Sequence, residues 1–246
     1  MKMFIKLFFS LLLMVSIFTE TSYAKDEIEI QSNVADFYSY GKNPSITKLD
    51  NGLVISMVEG QTTDFLYYQL GEEKKGRVEW SDDQIQYAIG KEPSVTILGN
   101  GDVLTTYELR RPGTIERIDL YYSIGRYKDG KINWYSKDNL LIRDSWNASI
   151  TTLSNGKVIL SAQKALYDRM DYGIGYQVGN FDEDKGEMTW SESHLFDNGV
   201  DPSMEQLDNG YILTVYETGV VDYENEGDFK HRGTGELNYK IGIINE

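Results

Sequence analysis

Two sets of polar residues recur at matching places along this chain and could do chemistry together. Glu59, Glu108, Gln163 and Glu217 each close a short apolar run that opens with Val54-Ile55, Val103-Leu104, Val158-Ile159 or Ile212-Leu213. Asn43, Glu92, Asn147 and Asp201 each open a second recurring block. Crowded carboxylates repel and raise one another's pKa unless a cation or hydrogen-bond donors offset the repulsion. Such groups can hold sugar hydroxyls or a cation, or divide the work of a general acid and a base. Equally, each glutamate can accept backbone N–H groups from a neighbouring unit and act as a latch. The candidates for catalysis are Glu59, Glu108, Glu217, Glu92 and Asp201. Glycoside hydrolysis needs two carboxyls either ~5 Å or ~6.5–9.5 Å apart, spacings that repetition alone can also produce.

The elements that position these residues follow from a repeat. The block 43–52 (NPSITKLDNG) returns at 92–101, 147–156 and 201–210, with Ser45, Ser94, Ser149 and Ser203 separated by 49, 55 and 54 residues. A period of this size marks repeated supersecondary units. Each block ends in Asn-Gly between β-type runs, the strongest short hairpin signal because both residues accept positive φ. A strand with tyrosine three places before glycine follows, at Tyr68, Tyr122, Tyr176 and Tyr239. A fourth strand reads Gly-x-(Val/Ile/Met)-x-Trp and ends at Trp80, Trp134 and Trp190. Four short antiparallel strands per unit, without helical periodicity, predict an all-β fold, a β-propeller of four blades. The units span 43–91, 92–146, 147–200 and 201–246, and the last stops before its own Gly-x-x-x-Trp strand. Residues 26–31 (DEIEIQ) stand before Asn43 at the interval that separates Trp134 from Asn147. They are expected to complete the last blade and close the ring, with the last unit therefore including 26–41. A partial ring completed by a second copy is the alternative.

Residues 1–24 have the form of a secretory signal peptide. Lys2 and Lys6 flank an apolar run, and Ser22-Tyr23-Ala24 predicts cleavage before Lys25. The remaining residues 25–246 are read as one domain, located outside the cell, of bacterial type, and monomeric. They carry 22 basic and 38 acidic side chains, a net charge of −16. That surface repels phosphate backbones and anionic lipid, so no nucleic-acid partner and no membrane insertion after cleavage are expected. There is no cysteine, and His194 and His231 lie in separate stretches. This excludes a disulfide framework, a thiolate nucleophile and a Ser-His-Asp triad. No cofactor and no dedicated metal site are expected, with a bound cation at the channel mouth left open.

Antiparallel succession places the Asn-Gly turns at one pole. The loops near 60–65, 109–119, 164–171 and 218–236 gather at the other, where propellers bind their ligands. Trp146, directly before Asn147, is the candidate for stacking on a ligand ring. Arg111, Arg117 and Arg232 are candidates for binding a carboxylate, or else pair with local acids such as Glu116 and Asp119. Tyr223 completes the candidate ligand set. The four serines either line the channel or bond at its tight centre. Trp80, Trp134 and Trp190 either pack between blades or stack on sugars.

The stretch 186–217 (GEMTWSESHLFDNGVDPSMEQLDNGYILTVYE) resembles the repeat of sialidase-type propellers, secreted proteins with BNR-like repeats. The resemblance implies the propeller fold for 26–246. The strict Ser-x-Asp-x-Gly-x-x-Trp box of that family is absent, and its arginine triad and tyrosine–glutamate nucleophile have no counterparts here. The leading expectation is a secreted binding module that recognises carbohydrate or another extracellular surface at its loop-rich mouth. A glycoside hydrolase of the sialidase-like group and a protein-interaction scaffold are the alternatives.

Overall fold

The computed structural model describes residues 40–114, 117–166, 171–222 and 230–243. Hydrophobic runs of five to seven residues punctuated by Asn-Gly turns fold into four antiparallel sheets, arranged as the blades of a propeller. The first blade comprises β1 (Lys42–Lys48), β2 (Leu53–Glu59), β3 (Phe65–Lys74), β4 (Arg77–Trp80) and β5 (Ile85–Ile89). The second has β6 (Lys91–Ile97), β7 (Val103–Arg110), β8 (Ile118–Lys128) and β9 (Lys131–Ile142). The third holds β10 (Ser145–Thr152), β11 (Val158–Leu166), β12 (Asp171–Asp182), β13 (Glu187–Trp190) and β14 (His194–Asn198). In the fourth, β15 (Val200–Gln206), β16 (Ile212–Asp222) and β17 (Lys230–Gly242) are the described strands. Residues 26–31, expected to supply its outer strand, lie outside the described residues.

Order within each sheet runs as the chain does, from an innermost strand outwards. The β5 and β14 strands were not anticipated. Each turns back after the tryptophan strand and pairs with the upper half of the third strand, β3 or β12. In the second blade one long strand, β9, does both jobs, with register shifts along β8 where the others break. One of its residues, Asp138, takes a φ of 53°.

Blades pack through three apolar clusters. Ile55, Met57 and Tyr68 of the first blade meet Val95, Val103 and Tyr107 of the second. Leu104, Leu120 and Ile124 meet Ile150, Val158 and Leu160 of the third. Leu153 and Ile159 then meet Met204 and Ile212 of the fourth. Tryptophans join these seams: Trp134 stacks on Tyr87 with ring centres 4.9 Å apart, and Trp190 lies edge-on to Tyr122 at 6.1 Å. Among the described residues no such cluster joins the fourth blade to the first.

Neighbouring inner strands lack a sheet ladder, and the recurring serines bridge them instead. Ser45 Oγ accepts from Val95 N at 3.1 Å, Ser94 Oγ from Ile150 N at 3.2 Å, and Ser149 Oγ from Met204 N at 3.3 Å. Short hydroxyls are needed because a longer side chain would push the inner strands apart.

At the opposite pole each Asn-Gly turn places glycine at positive φ, 85° in the case of Gly101. A Cβ there would stand 2.7 Å from Asp50 Oδ2 of the first blade. Gly101→Val should therefore cost about 1–3 kcal/mol through a β-branched residue in a forbidden region. Thermal melting should show the loss, while ligand affinity of the folded fraction, measured calorimetrically, should stay unchanged.

Candidate functional site

The four blocks converge on one mouth of the channel through a repeated backbone irregularity. In every innermost strand the register slips between the residue before the block and its serine: Lys42/Ser45, Lys91/Ser94, Trp146/Ser149 and Val200/Ser203. The first block residue at each bulge is left-handed, with φ of 51° at Asn43, 47° at Glu92, 48° at Asn147 and 50° at Asp201. Asn and Asp tolerate this conformation, whereas Glu92 holds it at a cost. A bulge re-aims a side chain that regular pleating would direct elsewhere. Here the four block residues, with Pro44, Pro93, Ala148 and Pro202 behind them, line one cavity of about 490 Å³. Proline is tolerated at this place because a bulge residue owes no N–H to the ladder.

The glutamate ring lies beneath. In the first and third blades the block residue is an asparagine facing an acceptor of its own blade. Asn43 Nδ2 donates to Glu59 Oε2 at 3.0 Å, and Asn147 Nδ2 donates to Gln163 Oε1 at 3.3 Å. In the second and fourth blades both positions are acidic, so such a pair would repel. Glu92 instead accepts from Asn43 Nδ2 at 2.6 Å, and Asp201 accepts from Asn147 Nδ2. The glutamates so released bond elsewhere, Glu108 Oε1 accepting from Asn147 N and Glu217 Oε1 from Gly235 N, both at 2.6 Å. Glu59 is also paired with Lys42 at 2.7 Å. A fourfold repeat thereby acquires a twofold charge pattern, in which two asparagines each bridge a pair of acceptors.

This arrangement shapes the electrostatics. Burial raises the Glu92 carboxyl above its ordinary value, and the charges of Glu59 and Asp201 push the same way. Glu108, 6% exposed, is pushed up to about 7, first by burial and then by Glu92 and Glu59, against the opposing Asn147 N–H. Glu108 also lines a second cavity of about 390 Å³, with Asp64, Lys91 and Arg110. That side cavity escaped the sequence reading, because its ion pair of Lys91 and Asp64, 3.2 Å apart, joins two blades.

The remaining candidates are dispersed. Arg111 bonds Asp119 through Nε at 2.9 Å and through Nη2 at 2.5 Å, and reaches Asp144 at 2.9 Å. These acids raise its pKa, and the guanidinium in turn holds the Asp119 carboxyl below its usual range. Trp146 is half-buried in β10 beside Asn147. Arg117 is exposed just before β8, and Arg232 stands in β17 opposite Val220. Tyr223 lies outside the described residues. Among the described residues no three His, Asp or Glu side chains converge in a way that could hold a metal ion.

No family model and no curated protein matches this sequence. Solved structures do match. An α-L-arabinofuranosidase from Fusarium graminearum, determined with arabinobiose, aligns with TM-score 0.58 at 14% identity over 82% of this chain and 62% of that one. A sialidase from Streptococcus pneumoniae aligns with TM-score 0.58 at 16% identity, covering 81% of this chain and 30% of that one. An endo-arabinase from Bacteroides thetaiotaomicron gives 0.54 at 12% identity, over 84% and 78%. The chain thus spans about three fifths of the Fusarium enzyme, and the fold is a sialidase-like propeller.

The raised Glu108 value gives a signed expectation. The folded protein keeps a proton that the unfolded chain releases near 4.5, so this contribution to stability is full below that pH and is lost as pH rises through about 7. The carboxyls of Asp102 and Asp119, held below 3.8, change only at lower pH. Glu108→Gln keeps an acceptor for Asn147 N but cannot ionise. Melting followed from pH 4.5 to 8 should fall for the wild type and run flatter for the variant, which should melt higher at pH 8. Identical slopes would show that Glu108 is not the group responsible.

Proposed function

We propose that this chain is an exported carbohydrate-recognising propeller that seats a neutral, hydroxyl-rich glycan at the central mouth. One observation carries the reading. Both N–H bonds of the Asn43 amide are spent on Glu59 and Glu92, and both of the Asn147 amide on Gln163 and Asp201. What the four block residues retain are acceptors: two amide carbonyls and the second oxygens of Glu92 and Asp201. A ring of acceptors needs a ligand that brings donors, as sugar hydroxyls do. It disfavours a sialate or uronate, whose carboxylate would meet two acids, and Arg111 is already occupied by Asp119 and Asp144. The leader-like residues 1–24 support export, and the arabinobiose bound by the Fusarium neighbour makes neutral arabino-oligosaccharides the first ligands to test.

Hydrolysis of that glycan is the second reading. It is favoured by Glu108, whose buried carboxyl is pushed up to about 7, since a carboxyl with a raised pKa can act as a general acid. Titration calorimetry with arabino-oligosaccharides and with sialylated or uronate-bearing glycans tests the proposal, and reducing-end release in the same samples tests hydrolysis. Glu92→Gln and Asp201→Asn should each weaken neutral-glycan binding about tenfold, the scale of one charge-assisted hydrogen bond. Arg111→Ala should lower the melting temperature and leave affinity unchanged. Binding confined to acidic glycans, or no glycan binding at all, would overturn the reading and favour a protein-binding scaffold.

A further inference from the structure

The side cavity of about 390 Å³ between the first two blades is separate from the mouth. Among the described residues its lining shares none with the central cavity. Close backbone packing builds it. The link from β5 to β6 lies directly on β7, where a Cβ at Gly90 would stand 2.7 Å from Glu108 O and 2.9 Å from Tyr107 Cδ2. Gly90 N also donates to Asp64 O at 2.7 Å, which ties the entry of β3 to that link. Ile89, Leu109 and Ile118 supply an apolar wall, and Asp64, Lys91, Glu108 and Arg110 the polar part.

The repeat does not require this place. Lys91 stands opposite Glu108 in the register as Trp146 stands opposite Gln163. In that next seam Trp146 is half-buried, and Arg111 joins Asp119 to Asp144 across the blades. The second seam thus carries a bulky ring where the first carries a lysine beside a cavity.

Two groups in the cavity have bonding capacity left over. Several cations of this acidic chain are claimed by acids: Lys42 by Glu59, Lys91 by Asp64, Arg126 by Asp102, and Arg111 by Asp119 and Asp144. Arg110 is exposed and, among the described residues, has no bonded partner. Glu108 is 6% exposed and accepts at Oε1 from Asn147 N, while among the described residues its Oε2 accepts nothing. A polar atom of a buried side chain left without a partner is costly, and the cavity beside it is where a partner can enter.

The two leftover groups differ in kind, which selects the ligand. A guanidinium offers a fork of donors that fits a carboxylate. Glu108 fits a hydroxyl, which can donate to an ionised carboxyl or accept from a protonated one. The volume and the apolar wall suit a ligand of monosaccharide size. We propose that the side cavity is a second binding site, for a sugar acid such as a uronate, with its carboxylate on Arg110 and a hydroxyl on Glu108. This site goes beyond the reading of the mouth, whose acceptors take neutral glycan units. With Asp64 paired to Lys91, the cavity presents a net positive charge to the ligand while Glu108 is uncharged. Burial and the charges of Glu92 and Glu59, against the Asn147 N–H and Lys91, push Glu108 up to about 7, so pH 6 suits the test.

Titration calorimetry at pH 6 compares free glucuronate, glucose and an oligosaccharide ending in glucuronate. Glucuronate should bind at least about tenfold tighter than glucose, which lacks the carboxylate. Arg110→Gln should weaken glucuronate about tenfold through loss of the fork, and leave the melting temperature unchanged because Arg110 is exposed. The same variant should keep wild-type affinity for arabino-oligosaccharides at the mouth. Lys91→Trp gives this seam the residue of the next one and should remove glucuronate binding. Its melting temperature should stay within about 2 °C of wild type, since an exposed ion pair is worth little. Binding of the oligosaccharide alone, lost in Arg110→Gln, would assign the cavity to glycan-borne uronates; binding of both forms would extend it to free sugar acids. Glucuronate that binds in neither form, no better than glucose, or equally well to both variants would overturn the proposal. Acidic ligands lost in Arg110→Gln, beside absent arabino-oligosaccharide binding, would end the reading of the mouth and leave this site standing.

Discussion

The structure depends on how the first residue of each recurring block, at the bulge of an innermost strand, is held. A left-handed residue at a bulge has left the ladder and would relax unless its side chain or backbone were anchored. For Asn43 and Asn147 the anchors are polar residues that close second strands, and for Glu92 and Asp201 they are those two asparagines. Glu59 and Gln163 grip the asparagines of their own blades, and Glu108 grips the backbone of Asn147 one blade further on. The latch and the mouth are thus one construction: Glu59, Gln163 and Glu108 hold the two asparagine bulges, the asparagines hold Glu92 and Asp201, and all four line the cavity.

That construction also explains how a repeated motif yields an asymmetric site. Identical pairs in all four blades would either bring acids together or leave amides unmatched. Alternating Asn–Glu, Glu–Glu, Asn–Gln and Asp–Glu lets each asparagine satisfy two acceptors while its own N–H groups are consumed. The outcome is a set of block residues whose amide N–H groups are consumed, a pattern that exists only once the blades are side by side. The raised Glu92 and Glu108 values follow from the same crowding in a buried place. At the opposite pole Asp102 shows the contrast. It too is buried, but two guanidinium bonds from Arg126, at 2.6 and 2.8 Å, hold its carboxyl below the usual range.

Between blades, the chain uses small groups at the centre and large ones outside, as wedge-shaped packing demands. Serine hydroxyls span the narrow inner seam, aliphatic side chains fill the middle, and Trp134 and Trp190 close the wide outer rim against tyrosines. Glycines at 71, 125 and 179 belong to the same scheme, since the outer strand lies directly on them.

Much of this was legible in the residues. The period of the Ser blocks, the Asn-Gly turns and the Gly-x-x-x-Trp strands specify local conformations, and local conformations repeated in series leave few architectures besides a propeller. The convergence of Asn43, Glu92, Asn147 and Asp201 at one mouth followed from strand direction alone. Which atom bonds which did not. That Asn43 reaches Glu92 in the next blade, that Glu108 holds Asn147 and that Arg111 is bound between Asp119 and Asp144 are contacts between residues 8 to 49 positions apart. The bulges were hidden for a related reason: a one-residue slip depends on the partner strand, and Glu92 carries no propensity for the left-handed region. Sequence determined the elements and their order because those rest on neighbours along the chain. Tertiary structure decided the charge pattern of the mouth, because that rests on which blades meet.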